Sequence, residues 1–259
     1  MEARRVGEFY DDAGMIWSLR SVGPHLHPGS EEATVSLASR AAEYGFAADG
    51  GWVLELGSAL GAPSRFLARR FGVRVACVDM DRRMHRAAQA TNRSEGLARV
   101  VQPILARTER LPMADASCDA AWSQDALCHM EKEAVLAEVE RVTRAGGVFA
   151  FTDFVARTEL SAEESDRLRS VWAFPSLYGI PRYVALLHRL DFEVLLAEDR
   201  TAATLRARSR RPDDSEWWEE FGQRFGAKAV ETRIEAGSTW QGLLEAGRVG
   251  YAMFIARKA

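Results

Sequence analysis

Cysteine is scarce in this 259-residue chain: only Cys77, Cys118 and Cys128 occur, an odd set with no CxxC spacing. That excludes a disulfide framework and a zinc ribbon, and the expected home is a reducing cytoplasm. No apolar run approaches the roughly 18 residues of a membrane span, and no apolar stretch follows the N-terminal charges as a leader would require. Excess positive charge is missing as well. Against 37 acidic residues stand 34 Lys and Arg, giving a net charge of -3, so nucleic acid is not an expected partner. Arg206, Arg208, Arg210 and Arg211 form a local basic stretch without interleaved aromatics, and such a run reads as a solvated face. Internal repeats, low-complexity tracts and Gly/Pro/Ser linkers are absent, so one domain over residues 1–259 is expected. Neither G-x-G-x-x-G nor G-x-S-x-G occurs, which argues against the nicotinamide fingerprint and the hydrolase nucleophile elbow. No complete ligand set with recognised spacing surrounds the histidines, and no metal is expected.

What is present is an alternation of short apolar runs with amphipathic stretches. Residues 30–44 read as a helix after Pro28 and Gly29. WVLEL, ending at Leu56, is an apolar run that breaks at Gly57, and a helical segment closes on Gly72. RVACVDM follows as a second strand, then a helix through Met84, Ala87, Ala88 and Ala90. Further strands are expected at 100–105, 119–123, 148–155, 192–197 and 250–256, with a helix carrying Val135, Val139 and Val142 on one face and stopping at Gly146-Gly147. Strands alternating with helices make an α/β fold: a doubly wound, mostly parallel, seven-stranded Rossmann-like sheet with helices on both faces. Residues 1–50 are expected to form a lid and helix, 51–155 the cofactor-binding core, 156–190 a cap over the strand ends after the fifth strand, and 191–259 the last strands and helices.

In such a sheet ligands bind beyond the carboxyl ends of the strands, where the strand order reverses. The segment from Glu55 through Gly57, Ser58 and Ala59 to Gly61 forms a glycine turn at one such end. Asp79 ends the next strand, about 20 residues on, where a carboxylate can accept both hydroxyls of a ribose. Turn plus acid points to an adenosine-containing cofactor; the structural alternative for Asp79 is a helix N-cap.

VLELGSALGAPSRFLARRFG resembles the first motif of class I S-adenosylmethionine-dependent methyltransferases, and VACVDMD resembles the second. LPMADASCDAAWSQDALCHM is similar to the loop and fourth strand of the small-molecule members, and its Trp122-Ser123-Gln124-Asp125-Ala126 with His129 looks most like the sarcosine and dimethylglycine N-methyltransferase group. The resemblance implies that S-adenosylmethionine is the cofactor. Glu55 and the glycine turn would hold its amino-acid end, Asp79 its ribose and Met80 its adenine, with Thr108, Glu109, Ser123 and Gln124 completing the cofactor set. Ala59 stands where the family usually has its middle glycine. Arg107 and Thr108 replace an acidic and a small residue, which shifts adenine recognition to backbone groups near Thr108 and Glu109.

His129 is the candidate catalytic group, because an imidazole after the fourth strand can take a proton or orient an acceptor; a structural hydrogen bond is the competing role. Trp17, His27, Trp172, Phe174 and Tyr178 are candidates for binding the substrate, a small-molecule acceptor. Arg167 and Arg182 read as solvated. N-methylation of a small amine or amino acid is preferred, with C- or O-methylation of a natural product or isoprenoid behind it. A nicotinamide oxidoreductase and a non-catalytic adenosyl-ligand binder are the readings from other classes. Nothing in the sequence excludes a homo-oligomer.

Overall fold

A computed structural model of the chain describes residues 30–48, 50–208 and 215–259. Seven strands form one sheet: β1 (Trp52–Leu56), β2 (Arg74–Asp79), β3 (Val101–Leu105), β4 (Cys118–Gln124), β5 (Thr143–Ala156), β6 (Phe192–Asp199) and β7 (Val249–Lys258). Their spatial order is β3-β2-β1-β4-β5-β7-β6, with β7 antiparallel to both its neighbours and the pairs from β3 to β5 parallel. Direction across the sheet reverses between β1 and β4, and this switch point fixes where a ligand can enter.

The central strands are buried almost continuously, their successive side chains pointing to opposite faces that are both covered. Val53, Val75, Ala120, Trp122 and Val148 pack on one side with Leu37 of α1 (Ser30–Glu43) and Leu67 of α2 (Ala62–Phe71). Leu54, Leu56, Val78, Ala121, Phe149 and Phe151 pack on the other with Leu136 and Val139 of α4 (Lys132–Val142) and Tyr183, Leu186 and Leu187 of α6 (Ile180–Arg189). Each such side chain withdrawn from water contributes about 1.5–3 kcal/mol. α3 (Arg82–Ser94) is capped by Asp81, whose carboxylate accepts from the N–H groups of Arg83 and Met84. The N-cap role considered for Asp79 therefore belongs to its neighbour two residues on.

Two boundaries differ from the sequence expectation. α4 ends at Val142, and β5 already begins at Thr143, so Gly146 and Gly147 do not stop a helix. They lie in β5 beside a register shift between Cys118 and Ala120. A Cβ on Gly147 would sit 2.9 Å from the carbonyl oxygens of Arg144 and Asp119, so the glycine admits this close backbone approach. Second, α6 lies on the sheet. The material above the strand ends is instead α5 (Ala162–Trp172), the loop after it, and part of the segment joining β6 to β7, which holds α7 (Thr201–Arg208), α8 (Ser215–Phe225) and α9 (Ala227–Glu245). Trp240 of α9 reaches Phe154 of β5 and Phe174 beyond α5, with ring centroids 4.8 Å and 6.3 Å apart. No described helix is long and apolar enough to cross a membrane.

Candidate active site

At the carboxyl end of β1 the chain turns sharply: Gly57 has φ 63°, Ala59 φ 45° and Gly61 φ 72°. A Cβ on Gly57 would collide with the Ala126 methyl and come within 3.2 Å of Met130 Cε. Glycine is required there by backbone conformation and by space together. The same contact shows that the turn after β1 touches the turn after β4, which brings the sequence motifs at 55–61 and 122–130 into one site.

Asp79 ends β2 and clasps this turn. Its Oδ2 accepts the Ala59 N–H at 2.8 Å, and its Oδ1 accepts the Asp81 N–H at 2.8 Å. Burial raises the Asp79 pKa, while these N–H bonds oppose the shift by favouring the charged form. Each oxygen keeps a lone pair for another donor. Met80, next along, is 48% exposed, an apolar side chain left uncovered beside the carboxylate. Ala59 occupies the left-handed region that a glycine would enter at no cost, and it supplies a backbone N–H to Asp79 regardless of its methyl.

Glu55 behaves differently from its neighbours. It is 2% exposed and accepts a hydrogen bond from the Ser64 hydroxyl of α2, and burial pushes its pKa up to about 8. Its carboxyl lies beneath the turn and braces it against α2. Arg65 supports the turn from the same helix, donating to the Leu60 carbonyl at 2.8 Å. On the far side of Asp79, Thr108 is buried with its hydroxyl 3.4 Å from Met130 Sδ, and Glu109 pairs with the exposed Arg107 at 3.1 Å.

β4 delivers the other half. Ser123 is buried and donates to the Leu56 carbonyl at 3.4 Å. Gln124 Oε1 accepts from Thr34 of α1 and from the Trp122 indole, whereas its Nε2 is buried with no partner among the described residues. Asp125 follows with φ 54°; its Oδ1 accepts the Tyr251 hydroxyl at 2.5 Å and the Thr152 hydroxyl at 2.9 Å, and its Oδ2 is buried with no partner among the described residues. Burial lifts the Asp125 pKa to about 7. The sequence reading gave Asp125 no role. A signal for it existed, an acid next to Gln124 at a strand's carboxyl end, but its partners Thr152 and Tyr251 lie far along the chain.

His129 closes a short 3-10 turn, Leu127–His129. Its Nδ1 lies 3.4 Å from the Ala173 carbonyl oxygen and its ring centroid 5.0 Å from that of Phe174. A carbonyl only accepts, so Nδ1 carries the proton and the neutral ring has its lone pair on Nε2. Burial lowers the pKa to about 4, and the nearby Lys132 cation adds to the depression. Trp172 and Phe174 stand in one aromatic cluster with Trp240 beside this imidazole. Tyr178 lies apart from them: its ring packs against Tyr183 in the core below α6, under the Arg182 guanidinium at 3.6 Å, and its hydroxyl donates to Glu133. Trp17 and His27 lie outside the described residues. Among the described residues no three His, Cys, Asp or Glu side chains are grouped to hold a metal.

Residues 54–151 match the family model described as a methyltransferase domain. A sarcosine/dimethylglycine N-methyltransferase of Halorhodospira halochloris is 35% identical over 39% of this chain and 37% of its own length. The methyltransferase GfsG of Streptomyces halstedii is 27% identical over 99% of this chain and 95% of its own. Thus the chain spans only about a third of the first relative but nearly all of the second. Among solved structures, phosphoethanolamine N-methyltransferase 2 of Haemonchus contortus in complex with S-adenosyl-L-methionine superposes with a TM-score of 0.81 at 18% identity, over 97% of this chain and 59% of that one. The matched domain coincides with the β1 to β5 core that carries the glycine turn, Asp79 and His129, so residues 54–151 of this chain form a methyltransferase domain.

Proposed function

We propose that this protein transfers a methyl group from S-adenosylmethionine to a small-molecule acceptor, with nitrogen of a small amine or amino acid as the preferred target. One observation carries the reading: the Asp79 carboxylate, locked by two backbone N–H groups at the end of β2, beside a turn whose Gly57 leaves no room for a side chain. Asp79 would accept the ribose hydroxyls with its remaining lone pairs, Met80 would lie against the adenine, and the backbone of Gly57, Ser58, Ala59 and Gly61 would approach the amino-acid end. Thr108 and Glu109 would border the adenine. Glu55, Ser123 and Gln124 support this rim from below, since the first two are already bonded inside the fold.

When bound, S-adenosylmethionine supplies a methyl group already activated by its sulfonium, so the protein's task is alignment and removal of water. Two groups here suit the acceptor. His129 is neutral over the physiological range, with Nε2 able to accept a proton from an attacking N–H or O–H. Asp125 presents a buried oxygen without a partner among the described residues, suited to orienting an ammonium or hydroxyl. The resemblance to the sarcosine/dimethylglycine enzyme favours nitrogen. The cluster of Phe174, Trp172 and Trp240 also suits an apolar acceptor, which keeps O- or C-methylation as the second reading. Incubation with methyl-labelled donor and fractionated cell metabolites, with mass spectrometry of the labelled product, tests the reading. A labelled amine supports it, a labelled hydroxyl or carbon selects the second reading, and no labelled product in any fraction contradicts both.

A further inference from the structure

Lys132, the first residue of α4, is 1% exposed. Its ammonium donates to the Ser176 carbonyl at 2.8 Å and to the Met130 carbonyl at 3.4 Å, and it faces the Tyr178 ring at 5.3 Å. Burying a lysine is costly, and a methionine would fill such a space without that cost. The two carbonyls it binds belong to opposite sides of His129: Met130 follows the imidazole directly, and Ser176 lies in the strap after α5 whose Ala173 carbonyl meets Nδ1. Ala173 itself is held at φ 53°, a conformation alanine adopts only when its surroundings impose it.

The 3-10 turn is fixed from below by a second buried group. Asp153 of β5, wholly buried, accepts the Cys128 N–H at 2.9 Å and the Tyr183 hydroxyl at 2.5 Å. Its charge favours the Lys132 ammonium, as does that of Glu131, while Arg182 opposes it. The Lys132 cation lowers the His129 pKa further, disfavouring a second cation beside it.

From this arrangement we infer that Lys132 is a positioning residue for His129: it pins the strap at residues 173–176 over the imidazole, so that the Ala173 carbonyl holds the proton on Nδ1 and leaves Nε2 as the acceptor. The inference rests on the reading of His129 as the group that receives the acceptor's proton. Lys132 touches no reacting atom. It acts through the strap, which sets the tautomer, and through its charge, which adds to the burial that keeps the ring neutral.

The test needs no acceptor. Long-range proton–nitrogen spectra of the 15N-labelled full chain resolve the five imidazoles, and His129→Asn assigns the relevant one. In the wild type, His129 is expected as the Nδ1–H tautomer, neutral down to about pH 4. Lys132→Met should introduce the Nε2–H tautomer and raise the titration midpoint by about one pH unit. Lys132→Gln keeps a donor for the Ser176 carbonyl without the charge, and should hold the tautomer while raising the midpoint. Lys132→Met, folded with a wild-type circular dichroism spectrum and still showing the Nδ1–H tautomer, would overturn the positioning role, and an unchanged His129 midpoint in either folded variant would overturn the part assigned to the charge. If Lys132→Met does not fold, the Gln variant decides. Turnover in His129→Asn at the wild-type rate would overturn the catalytic reading instead, so the two failures are distinguishable.

Discussion

The two rims of the site are built by different means. The β1–β2 rim uses backbone: a turn that only Gly57 can occupy, N–H groups of Ala59 and Asp81, and one carboxylate that receives both. All of its parts lie within a short stretch of chain. The β4 rim uses side chains, and each is placed by a distant partner: Asp125 by Thr152 and Tyr251, His129 by Ala173, the strap by Lys132. A donor common to a whole family can be held by one conserved geometry of turn and acid, whereas an acceptor is chosen by what is gathered around the methyl group. On the proposed reading, the first rim would hold the donor and the second would select the acceptor.

The comparison breaks most sharply at Asp79. Asp79→Ala removes charge-assisted bonds worth about 1.5–3 kcal/mol each, so calorimetry should show donor affinity falling by about a hundredfold or more. Affinity within tenfold of wild type would place the donor elsewhere. His129→Asn should do the reverse, lowering turnover by about 10² to 10⁴-fold with donor affinity unchanged; a parallel loss of donor binding would merge the two rims.

Smaller effects follow from the turn itself. Gly57→Ala drives a methyl into Ala126 at a positive φ, and thermal melting should register a loss of about 1–3 kcal/mol. Ala59→Gly relieves a left-handed alanine, and should leave donor affinity within a few-fold because the Asp79 bond is made by the backbone. An increase in affinity of tenfold or more would show that the Ala59 methyl obstructs the donor.

Protonation gives the two rims opposite signs. Glu55 beneath the first has a folded pKa raised to about 8 from 4.5, so its contribution to stability is present at low pH and is lost as pH rises through 8. His129 in the second has a folded pKa lowered to about 4 from 6.5, so its contribution is present above 6.5 and is lost as pH falls through 4. Denaturation across this range should show Glu55→Gln flattening the alkaline decline and His129→Asn flattening the acid one. Unaltered slopes in either variant would contradict the assigned state of that group.

Legibility in the sequence follows the same division. The succession of strands and helices, Asp79 and the glycine turn are legible from residues close together, because hydrophobic period and turn chemistry are local. The interior place of β7 was also visible, since its apolar run needs cover on both faces. The Gly146-Gly147 pair was misread as a helix stop because a glycine serves a bulge as well as a helix end, and only the pairing of β5 with β4 distinguishes them. Tyr178 looked like a pocket aromatic by its neighbourhood with Trp172 and Phe174, yet the chain turns between them and buries it beneath α6. Lys132 and Trp240 acquire their roles from contacts across the fold, and no local pattern announces them; Asp125 has a local signal, but Thr152 and Tyr251 place it from far along the chain.

Titration calorimetry of the 259-residue chain with S-adenosylmethionine, and in parallel with NAD, tests the central claim most directly. Saturable binding of S-adenosylmethionine that disappears in Asp79→Ala, with none for NAD, is the expected result. Binding of NAD, or donor binding indifferent to Asp79, would contradict it.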